Sequence, residues 1–430
     1  MPMQPEVDTS SRLNPDFWRF FAGQTLSQLG SSFTLFATPL LVFHLTHSAV
    51  NLGIAAAANF VPYLLFGLVI GAWVDRLDRK RMMIAVDLGR AGIIALIPLL
   101  SAVHVLSVWH VYAVGFVSSV LTIFFEAGEF AAIPSLVGQE DLVTANGRIQ
   151  ASYSAAAVAG PLMAGVMVAV VPVQTVFLAD AVSFLVSAYS LGVIRGSFNR
   201  EPPPAERRRI RQEVAEGLRY VFRHPVLRNI SAMMALFNFV GTTTFTQLVL
   251  FSKVRLGASD ARVGFLFSAG SAGVVLLGLL AGRIRRRLSF GVAALGSLMV
   301  TGWLTVAFAV NRIYWVALVL WGLSQGLWTF FNINTGSLRQ AIVPNYLLGR
   351  IISIAGVLAW SAIPLGSLLG GFMVKWTGNV ALVYAVIGVI LFLIGLSFFV
   401  FSPLGRAERY LPGGDLAPPL ETEPARPGDR

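Results

Sequence analysis

Apolar runs of about twenty residues or more follow one another along the chain, separated by shorter polar connections, and each is long enough for a helix to cross a hydrocarbon core about 30 Å thick. Twelve spans are predicted, at 17–43, 49–74, 82–103, 108–132, 148–171, 174–194, 228–251, 261–282, 289–309, 313–336, 351–374 and 379–402. The pattern predicts an all-α polytopic membrane protein.

The runs fall into two sets of six. Residues 1–16 form a polar N-terminal segment, 17–194 a first six-helix bundle, 195–227 a connection, 228–402 a second six-helix bundle, and 403–430 a Pro- and Gly-rich tail expected to be disordered. Short motifs recur between the halves. Gly71–Arg76 has a degenerate partner in Gly278–Arg283, Pro134 ends a segment like that ending at Pro344, and Pro161 opens a small-residue run like that at Pro364; with the Gly-Arg-Ile pair at 147 and 349, the offsets lie between 202 and 210. A tandem six-plus-six repeat is an architecture of secondary transporters. In the connection, Ile210, Val214, Leu218 and Val221 recur at helical spacing among bases, which predicts an amphipathic helix on the inner membrane surface.

Composition agrees with a membrane chain. Of 430 residues, 56% are hydrophobic and 12% charged, where a soluble protein carries roughly 25% charge; the mean hydropathy is +0.72. There is no cysteine, so no disulfide framework and no thiolate chemistry, and five histidines offer little for a metal. No metal or cofactor is expected. No cleavable signal peptide is expected either, because the first apolar stretch is too long and lacks a small-residue cleavage site. With both termini inside, 26 of the 32 bases fall on inner connections and five on outer ones, Arg90 lying within span three. That split follows the positive-inside rule. The net charge of +11 is therefore topological, and no nucleic-acid partner is expected.

The densest charge sits in Gly-Ala-Trp-Val-Asp-Arg-Leu-Asp-Arg-Lys-Arg, 71–81, on the turn between spans two and three. A plain positive-inside bias needs only bases. Gly71 also permits close helix approach, and Asp75 can make a charge-assisted latch. This stretch resembles the signature loop of the major facilitator superfamily through Gly71, Asp75, Arg76, Arg79 and Lys80, with Asp78 where a glycine is usual. Segments at 26–30, 45–49, 133–146 and 216–228 are similar to the macrolide-efflux and enterobactin-exporter branch of drug:proton antiporters. Gly160, Pro161 and Gly165 in span five resemble the antiporter motif, with Ala164 replacing one of its closing glycines. The resemblance implies a kinked helix that resists proton leak; ordinary small-residue packing is the other reading.

A central cavity in that fold is lined by spans one, four, seven and ten. Polar or aromatic stripes there supply the candidate substrate residues Gln24, Gln28, Thr122, Asn238, Thr242, Trp321, Gln325, Trp328 and Asn332. Glu126 and Glu129, three apart on one face of span four, are candidate proton or cation sites, or else ion-pair anchors for Arg76, Arg79 or Arg148. Asp87 and Arg90 read as a structural pair. Span six carries Asp180, Ser183, Ser187 and Ser190 on one face, read as packing through hydroxyls. Span one lacks the acid that many proton-coupled relatives carry, Ser31 following Gly30.

No metalloprotease motif or phosphate-binding loop is present, so neither an enzyme nor a self-contained ATP-driven pump is expected. The expected function is proton-coupled efflux of amphipathic small molecules by alternating access, from a monomer in the inner or plasma membrane that exchanges a small-molecule substrate for protons across the lipid bilayer. Export of an endogenous product such as a siderophore, flipping of a lysolipid, and a non-transporting receptor or scaffold remain open alternatives.

Overall fold

The computed structural model describes residues 14–74, 76–138, 141–196, 198–199, 210–343 and 345–410. The first half is built from α1 (Pro15–Thr46), α2 (Ala49–Val74), α3 (Arg79–Ala102), α4 (Val108–Leu136), α5 (Leu142–Met167) and α6 (Val173–Val193). A connecting helix α7 (Ile210–Arg223) follows. The second half contains α8 (Pro225–Thr246), α9 (Leu248–Leu256), α10 (Asp260–Arg285), α11 (Gly296–Val310), α12 (Tyr314–Ile342), α13 (Asn345–Trp360), α14 (Ala362–Thr377) and α15 (Val380–Phe401). Each predicted span falls on one of these helices or on a pair of them.

Two spans predicted as single helices are interrupted. Between α8 and α9 the chain bends by 49° at Gln247, whose buried amide donates to the Ala49 carbonyl at 2.8 Å. Between α13 and α14 the hydrogen-bond ladder is interrupted at Ser361, whose backbone stays helical, so that Ile354–Thr377 still makes one span. Pro364 explains the position of the interruption, since a proline ring displaces the carbonyl four residues earlier, here that of Trp360. Helix starts follow local chemistry. Asn14 caps α1 through the Asp16 amide at 3.0 Å, with Pro15 at the first helical position. Asp78, the departure from the signature loop, caps α3 by accepting from the Arg81 amide at 3.0 Å.

Among the described residues ten helices are long and apolar enough to cross a membrane, and eleven if the bent α8–α9 pair counts as one span. The twelfth, α5, falls short because Asn146, Arg148, Gln150, Ser152 and Tyr153 lie along its first half. It packs between α1 and α10 rather than standing against lipid over its whole face. Many large apolar side chains point outward, among them Leu65, Leu279 and Phe401. Exposed Trp109, Trp315 and Trp376 ring one end of the bundle, and Trp18 and Trp73 the other, as interfacial aromatic belts do. This is a multi-pass membrane protein.

Packing repeats between the halves. α3 lies on α6 as α11 lies on α15, and α2 on α4 as α10 on α12. The two large contacts between halves are related in the same way, α5 against α10 and α2 against α14. Both are backbone-close. A Cβ on Gly264 would stand 2.6 Å from the Pro161 carbonyl oxygen, and one on Gly53 2.4 Å from that of Ser367. A Cβ on Gly371 would reach the Ala49 carbonyl at 2.7 Å. His44 of α1 and Asp260 of α10 also face each other across the halves at 3.3 Å. All these contacts lie at the end of the bundle opposite the turn at 76–78, so the halves are sealed there.

The predicted amphipathic helix is present as α7. Leu218 and Val221 pack with Leu227, Val343, Ile351 and Ile354, so at these positions its apolar stripe meets the second half rather than lipid. Ile210 and Val214 have side chains outside the described residues.

Candidate functional site

Between the halves lies a cavity of about 810 Å³, within the size range of small-molecule sites. Its two walls differ. From the first half come Gln24, Gln28 and Thr34 of α1, Tyr63 of α2, Arg90 of α3, Thr122, Glu126 and Glu129 of α4, Tyr153 of α5 and Asp180 of α6. The second half contributes Phe237, Asn238, Thr242 and Phe245 of α8, Thr301 and Thr305 of α11, and Ser324, Gln325 and Trp328 of α12. Every charged side chain among the lining residues belongs to the first half. The opposite wall is neutral and aromatic, with Trp328 stacked on Phe237 at 4.1 Å and nearly parallel.

Arg90 organises the charged wall. Its guanidinium lies 4.2 Å over the Phe125 ring and 4.6 Å over that of Phe184, and pairs with Asp87 at 2.8 Å. Ser187 donates to the other Asp87 oxygen at 2.6 Å and accepts from the Gln24 amide at 3.0 Å. The pair is almost wholly buried, Asp87 at 0% and Arg90 at 5% exposure. The Tyr63 hydroxyl donates to Glu126 at 3.4 Å and the Tyr153 hydroxyl to Glu129. Arg90 acts on both glutamates electrostatically. Arg148, one of the loop bases considered for these acids, instead lies 4.9 Å over Trp18.

Seven of the nine substrate residues predicted from sequence line the cavity: Gln24, Gln28, Thr122, Asn238, Thr242, Gln325 and Trp328. Two do not. Trp321 is 4% exposed, covered by Phe245 and by Phe308 at 5.6 Å, with its indole against Gly270 of α10. Asn332 turns its amide back to the Trp328 carbonyl at 2.9 Å. The four residues share one face of α12, but the cavity touches that face only from Ser324 to Trp328, about one turn. Periodicity identifies the face and not its wetted length.

The polar face of α6 has a physical explanation in α1. Ser190 fits against Gly23 and Ser183 against Gly30, where added Cβ atoms would stand 2.0 and 2.1 Å from their hydroxyl oxygens. Ser187 joins Gln24 to Asp87. Asp180 accepts from Thr34. Tyr63, Tyr153 and the cavity-facing positions of Arg90 and Asp180 are features the sequence reading lacked, Asp180 having been read as part of a packing face. An acid in the middle of an apolar span was the available signal for Asp180.

In the motif of α5, Gly160 meets Ser32 of α1, and Gly165 meets Ala261 and Gly264 of α10. These small residues thus hold α5 against one helix of each half. In the signature loop, Asp75 lies outside the described residues, Gly71 falls within α2 and Arg76 is exposed. The Arg79 amide donates to Asn199 at 3.1 Å and its guanidinium to the Phe198 carbonyl at 3.2 Å. Lys80 donates to the Ile194 carbonyl, and Asn199 to that of Leu77 at 3.0 Å. The turn is tied to the end of α6.

Two halves of six spans each thus enclose a shared cavity that is sealed at one end. The chain belongs to the Major Facilitator Superfamily, whose family model matches residues 20–361. An uncharacterised transporter of this superfamily from Bacillus subtilis, YfiS, is 25% identical over 91% of this chain and 94% of its own. Macrolide efflux protein A of Streptococcus pyogenes is 25% identical, and the multidrug efflux pump Tap of Mycolicibacterium fortuitum 27%, each over 84% of this chain and 90% of the relative. The same fold occurs in a bacterial homologue of the human lysosomal transporter Spinster, solved inward-facing and occupied (TM-score 0.69, 14% identity, 91% of this chain and 96% of that one). It occurs also in the nucleoside transporter NupG (TM-score 0.73, 14% identity, 89% and 100%).

Proposed function

We propose that the protein is a proton-coupled exporter of amphipathic small molecules that works by alternating access in the cell membrane. The observation that carries this reading is the two-sided cavity. Glu126 and Glu129 face it from one wall, while Trp328, Phe237 and neutral amides and hydroxyls face it from the other. An amphipathic cargo places its apolar ring against Trp328, and a basic nitrogen against the glutamates, which release protons as it binds. Relatives named for macrolide and multidrug efflux support the substrate class. Both halves of the cavity and its seal come from one chain, which suits a monomer.

Orientation follows from the bases. The sealed end carries the five outer bases and the opposite end the turn at 76–81, so the termini and the mouth of the cavity face the cytoplasm. In this reading the structure is inward-open. Gly71, Asp75, Arg76, Arg79 and Lys80 form the latch that engages the second half when the mouth closes. Gly160, Pro161 and Gly165 of α5 keep α1 and α10 close enough to exclude a leak of protons.

The test is movement of erythromycin and ethidium in proteoliposomes under an imposed pH gradient, with internal pH followed in parallel. Uphill movement matched by proton flow is expected. Glu126→Gln with Glu129→Gln is expected to reduce gradient-driven ethidium flux by about tenfold or more. Unchanged flux in the double variant would remove the glutamates from the mechanism, and gradient-independent flux in the wild type would remove the antiport itself.

A further inference from the structure

Asp180 is the most deeply placed acid of the cavity wall. It lies about two turns into α6, is 1% exposed, and still contributes to the lining. Gly30 makes its position possible, because a Cβ there would stand 2.8 Å from the carboxylate and closer still to Ser183. α6 thereby inserts a carboxylate into the wall of α1 beside Ser31, where α1 has no acid of its own.

Its partners differ from those of Asp87 in one respect. Asp87 has, beside the Ser187 hydroxyl, a guanidinium at 2.8 Å, and a guanidinium can only donate and so favours the anion. Asp180 meets hydroxyls: Thr34 donates to it, and Ser183, which donates to the Asp180 backbone carbonyl at 2.7 Å, also reaches its carboxylate at 3.4 Å. A hydroxyl donates to a carboxylate and accepts from a carboxylic acid by rotating its proton. The Asp180 site therefore satisfies both protonation states without moving a heavy atom. An acid held permanently as the anion requires a fixed cation or amide donors, since an uncompensated charge in the membrane interior is costly. The Arg90 guanidinium of α3 acts on it through space, and Glu126 and Glu129 from α4 and Tyr153 from α5 line the same cavity; α1 contributes no charge to that lining. Arg90 is already paired with Asp87, so its field reaches Asp180 without locking it.

We infer that Asp180 is a further coupling proton site of this transporter, a carboxylate supplied by α6 to the α1 wall and serviced by the Thr34 hydroxyl in both protonation states. The inference rests on the antiport reading and adds a site separate from the cargo-facing glutamates. Asp180 takes up a proton from the water on one side of the membrane and gives it up on the other. Glu126 and Glu129 respond to the charge of the cargo.

The experiment compares wild type, Asp180→Asn, Asp180→Glu and Thr34→Val in proteoliposomes with ethidium as probe. Two fluxes are read: counterflow at equal pH, which needs no net proton movement, and uphill flux driven by a pH gradient. Asp180→Asn is expected to lose gradient-driven flux by about tenfold or more relative to its own counterflow rate. Thr34→Val should fall between the two, and Asp180→Glu should recover part of the coupling. Gradient-driven flux preserved in Asp180→Asn would overturn the inference while leaving the antiport reading standing. Loss of both fluxes in Asp180→Asn, unrelieved by Asp180→Glu, would overturn it in favour of a structural role. A wild-type flux indifferent to the gradient would show that the antiport reading itself had failed.

Discussion

At the scale of single residues, the buried charges of α3 and α6 divide into one fixed pair and one adaptable acid. The pairing of Asp87 with Arg90 was legible in the sequence, because residues three apart on a helix meet. Its place at the cavity was not, since the helix period does not say which neighbour a face will meet. Asp180 was less legible still, as its partner Thr34 lies 146 positions away. Removing one member of the fixed pair leaves an uncompensated charge between two phenyl rings. Asp87→Ala is therefore expected to destabilise the protein by about 3–5 kcal/mol, seen as a lower midpoint of thermal unfolding in detergent. Asp87→Ala with Arg90→Leu should regain much of that loss, because the orphaned guanidinium is gone. A double variant no more stable than Asp87→Ala would show that the carboxylate acts through Ser187 and Gln24 rather than through Arg90.

At the scale of helices, glycine decides which faces approach. Apolar periodicity recovered the membrane-spanning segments, yet it drew spans seven and eleven as uninterrupted rods. The bend at Gln247 depends on a carbonyl of α2, and the interruption at Ser361 on a proline three residues further on. The first is a tertiary contact and invisible locally; the second was readable from the chain. The seal between α5 and α10 can be tested in the same terms. Gly264 lies against the Pro161 carbonyl and Gly165 with no room for a side chain, so Gly264→Leu must open that end. Overpacking of this kind costs about 1–3 kcal/mol, enough to shift the balance of states by about fivefold or more. The cysteine-free sequence permits a clean readout at the symmetry-related seal. Val50→Cys places a single thiol on α2 at the contact with α14, where the Val50 Cα lies against Gly371. Labelling by a membrane-impermeant maleimide is expected to be slow in the otherwise native chain and to rise in the presence of Gly264→Leu. An unchanged rate would mean that the two seals open independently.

At the scale of the whole molecule, two symmetry-related seals close one end, and the charged turn at 71–81 occupies the other. Here Arg79 and Lys80 tie that turn to residues 194–199 at the end of α6, so the first half carries it as a rigid unit. Such a unit is what a rocking mechanism requires, because a latch can report on the second half only if it moves with the first. Asp75 falls outside the described residues, and its role is a proposal drawn from the signature loop. The expected consequence is directional. If Asp75 fastens the mouth when it closes, Asp75→Asn weakens only the closed-mouth state and shifts the protein toward the arrangement seen here. Transport should drop by about tenfold with membrane insertion unchanged. In the same variant Val50→Cys should label no faster than in the native background, since its seal belongs to the favoured state. Loss of transport with faster labelling would point to general loosening of the first half, and full transport would dismiss the latch. The two readouts together separate a shifted equilibrium from a damaged fold, which a flux measurement alone cannot do.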